Sequence, residues 1–257
     1  MVVLVIQTRN RWSRMIRSRT LKFIAMAFWA PLCLSAQNKS LEPAISSLPA
    51  EMKVAMTGKS WKQGCPVSLD DLALVRVTYL GLDGLAHEGK LVVNKQIAED
   101  VVSVFGDLYK ARFPIRKIGF WDDYGAGVYA EQNITVGFYC EKADDAPTEW
   151  SSHAYGMAID INPFLNPFLD LQHKWWPLAA ASNVPRDRTP GKVSTDSAVF
   201  AIFTRHGWAW GGFDAGVPDY MHFTKVTVGD GARMDRPYIV TGLKYVPNGA
   251  TERAQPK

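Results

Sequence analysis

The tightest constraint on this chain is a β-rich run closed by turn chemistry. Leu74-Val75-Arg76-Val77-Thr78-Tyr79-Leu80 is β-branched and partly alternating, the period of a half-buried strand. Gly81-Leu82-Asp83-Gly84 supplies a turn, and Lys90-Leu91-Val92-Val93 reads as a partner strand. Asn94 can cap a helix in which Ile97, Val101, Val104, Phe105 and Leu108 recur at steps of three and four, with Pro114 as its stop. Further strands are expected at Ile118-Gly119-Phe120-Trp121 and over 134–140. From Asn162 to about Val193 the chain is rich in Pro, Asn and Arg and reads as a long loop. Thr195 can cap a second helix through Ala198, Val199, Ile202 and Phe203, ended by Gly207. Strands mixed with a few helices, without regular βαβ alternation, define an α+β fold. With no internal repeat and no dividing linker, the expected organisation is a leader at 1–36, an extension at 37–60, one domain at 61–230 and a tail at 231–257.

The leader carries the chain's basic character. Residues 1–36 hold Arg9, Arg11, Arg14, Arg17, Arg19 and Lys22 and no acid. Without those six, the 29 basic residues fall to 23 against 25 acidic ones, so charge suggests no nucleic-acid partner. Behind the arginines lies an apolar run, FIAMAFWAPLCLSA, from Phe23 to Ala36. A positive stretch, a short apolar stretch and small residues at its end make a secretory signal with a cut after Ala36. Met15 is an alternative start. An uncut anchor is the competing reading, but the run is shorter than the roughly 20 residues a span requires and Pro31 interrupts it. The expected destination is the periplasm or the exterior, with no stable membrane span once the signal is cut.

Export bears on the cysteines. Beyond Cys33 in the leader, Cys65 and Cys140 remain, an even pair in an oxidising compartment. Either they form a disulfide, the favoured reading, or they are two buried thiols.

Chemistry concentrates in two stretches. One is Ser151-Ser152-His153-Ala154-Tyr155-Gly156-Met157-Ala158-Ile159-Asp160-Ile161-Asn162; the other is Gly207-Trp208-Ala209-Trp210-Gly211-Gly212 followed by Pro218-Asp219-Tyr220-Met221-His222-Phe223. A catalytic zinc takes three protein ligands and keeps a position for water. His153, Asp160 and His222 can supply a His/Asp/His set, with Gly156 and Ala158 keeping the connecting loop slim. Asp219, three residues before His222, is placed to move a proton from the attacking water to a leaving amine. His87, His173 and His206 are read as a turn, a loop and a helix-end residue without a metal role. Asp170, Asp187, Asp214 and the Asp122-Asp123 pair are read as solvated. No Gly-x-Ser-x-Gly elbow supports a serine hydrolase.

In order and spacing these residues resemble the VanY-type family, zinc D-alanyl-D-alanine carboxypeptidases and L-alanyl-D-glutamate endopeptidases of bacterial cell-wall peptides. The segments Cys65–Leu72, Gly89–Val93 and Phe113–Ile115 resemble that family too, so the likeness covers about residues 60–226. The resemblance implies a small antiparallel sheet with flanking helices around a zinc-centred groove, the Hedgehog and D-Ala-D-Ala peptidase type of fold. It also implies one zinc ion per chain on His153, Asp160 and His222, Asp219 as general base, and peptidoglycan stem peptides as substrate. Ser151, Tyr155, Trp208 and Trp210 are the expected substrate contacts, although for the two tryptophans core or groove packing is favoured over a role in the chemistry. Two departures stand out: Val128-Tyr129 where many relatives carry Ser-Met, and Glu141-Lys142 where many carry Arg after the cysteine. Lys142 and Arg116 are the candidates to replace that arginine. The departures also define a second class, a zinc-containing wall-binding protein without turnover.

Overall fold

In the computed structural model the chain enters through β1 (Ala44–Ser47) and α1 (Ala50–Met56). The expected strand, turn and strand follow as β2 (Leu72–Gly81) and β3 (Ala86–Asn94), paired antiparallel with Val75 opposite Leu91 and Ala73 opposite Val93. The structure describes residues 42–143, 148–214 and 216–225, and the backbone alone of 146–147, 239–240, 243–245 and 251–253. The expected leader, with its cut, lies outside the described residues. Among the described residues no helix is long and apolar enough to cross a membrane.

Alternation along β2 gives its sheet two apolar faces. Ala73, Val75, Val77 and Tyr79, with Leu91 and Val93 of β3, face the main core. Leu72, Leu74 and Val92 face a second cluster that includes Cys140, Cys65, Trp61 and Val67. Asn94 closes β3 and accepts the Gln96 amide, turning the chain through a 3-10 turn (Lys95–Ile97) into α2 (Ala98–Lys110). The expected stripe of Val101, Val104, Phe105 and Leu108 is the buried face of α2. Burial of each such side chain contributes on the order of 1.5–3 kcal/mol. β4 (Pro114–Ile115) then pairs with the end of β2, in parallel.

Two expected strands are not formed. Ile118 makes a single parallel bridge to Thr135, and Trp121–Asp123 is a 3-10 turn. Beyond α3 (Val128–Glu131), the 134–140 segment runs extended but pairs piecemeal. Val136 bridges Asp160, the Phe138 amide donates to the Val92 carbonyl and the Cys140 amide to the Ser60 carbonyl. A chain shared among several separate partners has no ladder, whatever its propensity. The Cys65–Cys140 disulfide is formed, with a Cα–Cα distance of 6.0 Å.

β5 (Lys142–Ala143) and β6 (Ala146–Trp150) form a hairpin, followed by β7 (Ala158–Asp160). The expected long loop contains a second small hairpin, β8 (Phe168–Leu169) with β9 (Trp175–Trp176), and a 3-10 stretch, Leu178–Asn183. Buried amides hold it in place. Asn162 donates to the Pro114 and Gly191 carbonyls and accepts from the Arg116 amide. Asn166 donates to the Ile161 carbonyl and accepts from the Val193 amide. α4 (Ala198–Arg205) is capped by Ser197, which accepts the Phe200 amide, and not by Thr195. Gly207, at a φ of 76°, turns the chain out of α4 as expected.

β10 (Trp208–Trp210) and β11 (His222–Lys225) complete a second antiparallel sheet in the order β10-β11-β7. Backbone strands β12 (Ile239–Val240), β13 (Leu243–Tyr245) and β14 (Thr251–Arg253) form a further antiparallel sheet within the expected tail. The described region is α+β, small antiparallel sheets with helices. His87, expected in a turn, lies in β3 and contacts Asp83 through Nε2.

Candidate metal centre

Register in the second sheet places the chemistry. His222 of β11 lies directly opposite Asp160 of β7, and Phe223 opposite Ile159. Directly opposed side chains are cross-strand neighbours with Cβ atoms about 5 Å apart. Alternation then sorts the faces: Ile159, Ile161 and Phe223 enter the core, while Asp160, His222 and Thr224 share the other face. Thr224, two residues on, reaches Nε2 of His222 at 2.6 Å.

His153 arrives from a 3-10 turn, Ser152–Tyr155, capped by Ser151, whose hydroxyl accepts the His153 amide at 3.2 Å. Gly156 ends the turn at a φ of 69°, and a Cβ there would lie 2.6 Å from the Asn94 nitrogen. The same approach lets the Asn94 amide donate to the Gly156 carbonyl at 2.8 Å. The Asn94 side chain adds a bond to the Tyr155 carbonyl at 3.0 Å. The turn carrying His153 is thereby fastened to the end of β3.

His153 Nε2 lies 3.0 Å from Asp160 Oδ1 and 3.0 Å from His222 Nδ1, which is itself 3.2 Å from Asp160 Oδ1. His153 and Asp160 are fully buried, and His222 is partly exposed, with 14% of its side chain accessible. The Gly137 carbonyl, 2.6 Å from His153 Nδ1, can only accept, so Nδ1 carries the proton and Nε2 of the neutral ring presents a lone pair. His222 can likewise place its proton on Nε2, donating to Thr224 and leaving Nδ1 free toward the other two. In that state three acceptors face one another with no proton among them. A cation reconciles them, and outer hydrogen bonds of this kind are what orient metal-ligating imidazoles. Two imidazoles and one carboxylate fit zinc with an open position. Without a cation the alternative is protonation of the rings toward Asp160: burial works against the Asp160 charge, but hydrogen bonds and charge from protonated His153 and His222 outweigh it and hold the carboxyl well below the usual range.

Two tyrosines support the centre, and nothing in the sequence marks either for this role. Tyr129 donates to Asp160 Oδ2 at 3.0 Å and Tyr139 at 3.3 Å, occupying the oxygen that faces away from the histidines. Tyr139 also stacks on the His153 ring at 4.3 Å. Burial first, then the Asp160 charge, pushes both phenols well above their ordinary value, so they remain donors at any working pH. Gly137 was missed as well: a Cβ there would lie 2.4 Å from the Val92 carbonyl, so only glycine lets this carbonyl reach His153. Nothing in local periodicity marks these three.

The centre opens on a cavity of about 330 Å³ that His153, His222, Asp219 and Ser151 all line. Asp219 is set by its amide, which donates to the Gly211 carbonyl at 3.0 Å, and by a bridge to Phe168. Gly211 has no room for a side chain, since a Cβ would lie 2.8 Å from the Asp219 carbonyl oxygen and 3.0 Å from Asp219 Cβ. Three expected substrate contacts lie elsewhere. Trp208 and Trp210 are only 2% and 3% exposed, in the core. Their indole N–H groups are taken by Asp100 Oδ2 and the Tyr220 carbonyl, so packing is their role. Tyr155 packs against the same core. The aromatic walls of the cavity are instead Tyr129, Tyr139, Trp150, Phe168 and Trp176. Lys142 lines it; Arg116 does not.

A buried His/Asp/His group on an antiparallel sheet, opening into a groove beside a second carboxylate, has the make-up of a metallopeptidase centre. Residues 144–225 match the family model described as D-alanyl-D-alanine carboxypeptidase. All three candidate ligands and Asp219 fall inside it. No curated protein and no solved structure matches the chain.

Proposed function

We propose that the chain is an exported zinc peptidase hydrolysing peptide bonds of peptidoglycan stem peptides, of the D-Ala-D-Ala carboxypeptidase or L-Ala-D-Glu endopeptidase type. The observation that carries this reading is the convergence of His153, Asp160 and His222 at one point on a cavity wall, within the matched segment. His153 and His222 present Nε2 and Nδ1, and Asp160 presents Oδ1. One zinc ion on these atoms supplies Lewis acidity, polarising a carbonyl and making water acidic near neutral pH. Asp219 accepts the proton of the attacking water and returns it to the leaving amine nitrogen. Ser151 both caps the turn under His153 and touches the peptide from the cavity wall. The Arg-rich leader and the Cys65–Cys140 disulfide support export to the compartment that holds such peptides.

Mass spectrometry of stem peptides incubated with the protein, with and without chelator, tests this. Cleavage that chelator stops and zinc restores is expected. Asp219→Ala should retain zinc and lose about 10²–10⁴-fold in rate, the usual span for a proton-transfer group. His153→Ala should lose both metal and turnover. Stoichiometric zinc without cleavage of any stem peptide would leave a metal-holding wall-binding protein instead.

A further inference from the structure

The disulfide lies one residue away from a side chain that holds two of the candidate metal ligands. Tyr139 precedes Cys140; its hydroxyl donates to Asp160 Oδ2 at 3.3 Å and its ring stacks on His153 at 4.3 Å. Two residues earlier the Gly137 carbonyl meets His153 Nδ1 at 2.6 Å. No ladder fixes this segment, so its end must be anchored otherwise. Cys140 is tied twice to one loop: its amide donates to the Ser60 carbonyl at 2.8 Å, and its sulfur is bonded to Cys65. The loop is closed on itself, with the Gly58 amide on the Trp61 carbonyl at 2.7 Å and the Trp61 indole N–H on the Val67 carbonyl at 2.9 Å. It packs with Met56, Leu72 and Val92, in a different cluster from the core that receives Ile159 and Phe223 beside the ligands.

We propose that the disulfide positions Tyr139 on the candidate ligands, so that the centre holds a metal ion firmly only while Cys65 and Cys140 are oxidised. Cys140 is buried and Cys65 is partly exposed, so Cys65 Sγ is the sulfur an attacking thiolate reaches. A dithiol attacks there, the S–S bond breaks, and Cys140 leaves as a thiolate and takes a proton. The second thiolate of the dithiol then displaces Cys65, which is protonated in turn. Two electrons have passed to the protein and the dithiol has become a disulfide. Released from the cross-link, the segment keeps its bonds to Val92 and Ser60 but no longer pins the Tyr139 hydroxyl at Asp160. Outer partners of this kind are worth about 10–100-fold in metal affinity. A compartment that keeps thiols reduced therefore leaves the centre weak, and an oxidising one completes it. The inference rests on the metal centre of the peptidase reading and not on which bond is cut.

Zinc affinity of the full chain, measured by competition against a chromophoric chelator, tests this on the oxidised protein and after reduction by a phosphine that is then removed. Reduction should weaken binding about tenfold or more, and reoxidation should restore it. The double variant Cys65→Ala, Cys140→Ala offers no thiolate at this position to a metal. It should bind like the reduced protein and ignore the phosphine, although Cys33 is still present. Tyr139→Phe keeps the ring beside His153, and in it the gap between the redox forms should narrow, because the two changes act through one hydroxyl. Equal affinity in both forms, or a gap undiminished in Tyr139→Phe, would overturn the inference. So would loss of amide protection in β2 and β3 of the reduced, metal-free chain, since metal would then be lost through general unfolding. The gap without cleavage of any stem peptide would remove the peptidase reading and leave the coupling standing; cleavage without the gap would do the reverse. Zinc binding by neither form would remove both.

Discussion

The two principal sheets of the described region hold together in different ways. In the first, β2 and β3 run for ten and nine residues, and their alternating side chains alone account for the pairing. In the second, β7, β10 and β11 have three, three and four residues. Ladders that short cannot fix a metal geometry to fractions of an ångström by themselves. Their alignment comes from outside: Asn94 holding the His153 turn, Gly137 pressed against Val92, and Asp100 of α2 binding both Trp208 and Lys225. The long sheet is the scaffold; the short one is positioned by what touches it. Substitutions should therefore divide into those that cost stability and those that cost the site.

The disulfide gives the largest effect that can break this comparison. It ties the approach to β2 to the end of the irregular 134–140 segment, closing a loop of 75 residues. Replacing both cysteines by Ser should lower unfolding free energy by about 4 kcal/mol, read from the denaturant midpoint. Hydrogen exchange should then show amides of 134–140 losing protection while those of β2 and β3 keep theirs. Equal loss in both would mean that the short sheet is no more dependent on outside contacts than the long one.

That division also separates what could be read in the chain from what could not. The β2–β3 pair, the buried stripe of α2 and the cysteine pair follow from period, turn residues and parity. His153, Asp160 and His222 stood out through residue type and spacing, and the structure brings them together. The strand expected over 134–140 is absent because its amides donate to scattered partners, Tyr129, Lys117, Asp160, Val92 and Ser60, which no periodicity reports. The shape of the loop after Asn162 depends on two buried amides reaching across 25 residues or more, to Gly191 and Val193. Trp208 and Trp210 look like groove aromatics until Asp100 and the Tyr220 carbonyl are seen to take their N–H groups. Tyr129 and Tyr139 gain their meaning only from Asp160, which lies 31 and 21 residues away.

Tyr129→Phe probes the other side of the division. It removes one donor from Asp160 Oδ2, keeps the ring in its cluster and leaves Tyr139 in place. Metal affinity should weaken about tenfold, the lower end for loss of a partner to a metal ligand, measured by competition against a chromophoric chelator. The melting temperature of the metal-free protein should barely move. A large drop in stability with unchanged affinity would make Tyr129 a scaffold residue.

The smallest effect lies at the junction of the two regions, where α2 meets α4. Asp107 of α2 contacts His206 at 3.2 Å and accepts Arg205 at 2.9 Å and Lys110 at 3.2 Å. The bond with His206, followed by those with Lys110 and Arg205, lowers its carboxyl from 3.8 to about 2. A depressed carboxyl stabilises the fold above its unfolded value and loses that contribution as pH falls through the folded one. Wild type should therefore exceed Asp107→Asn in stability at pH 7, by under about 1 kcal/mol given solvent screening. The difference between the two denaturant midpoints should close as pH drops from about 4 to about 2, which also subtracts the acid response of every other carboxylate. Because the contact joins helices and touches no candidate ligand, metal affinity at pH 7 should be the same in both proteins. A midpoint difference that persists unchanged to pH 2 would show that Asp107 acts by packing rather than by charge. A loss of metal affinity would show that the short sheet draws its alignment from this helix contact as well as from Asp100.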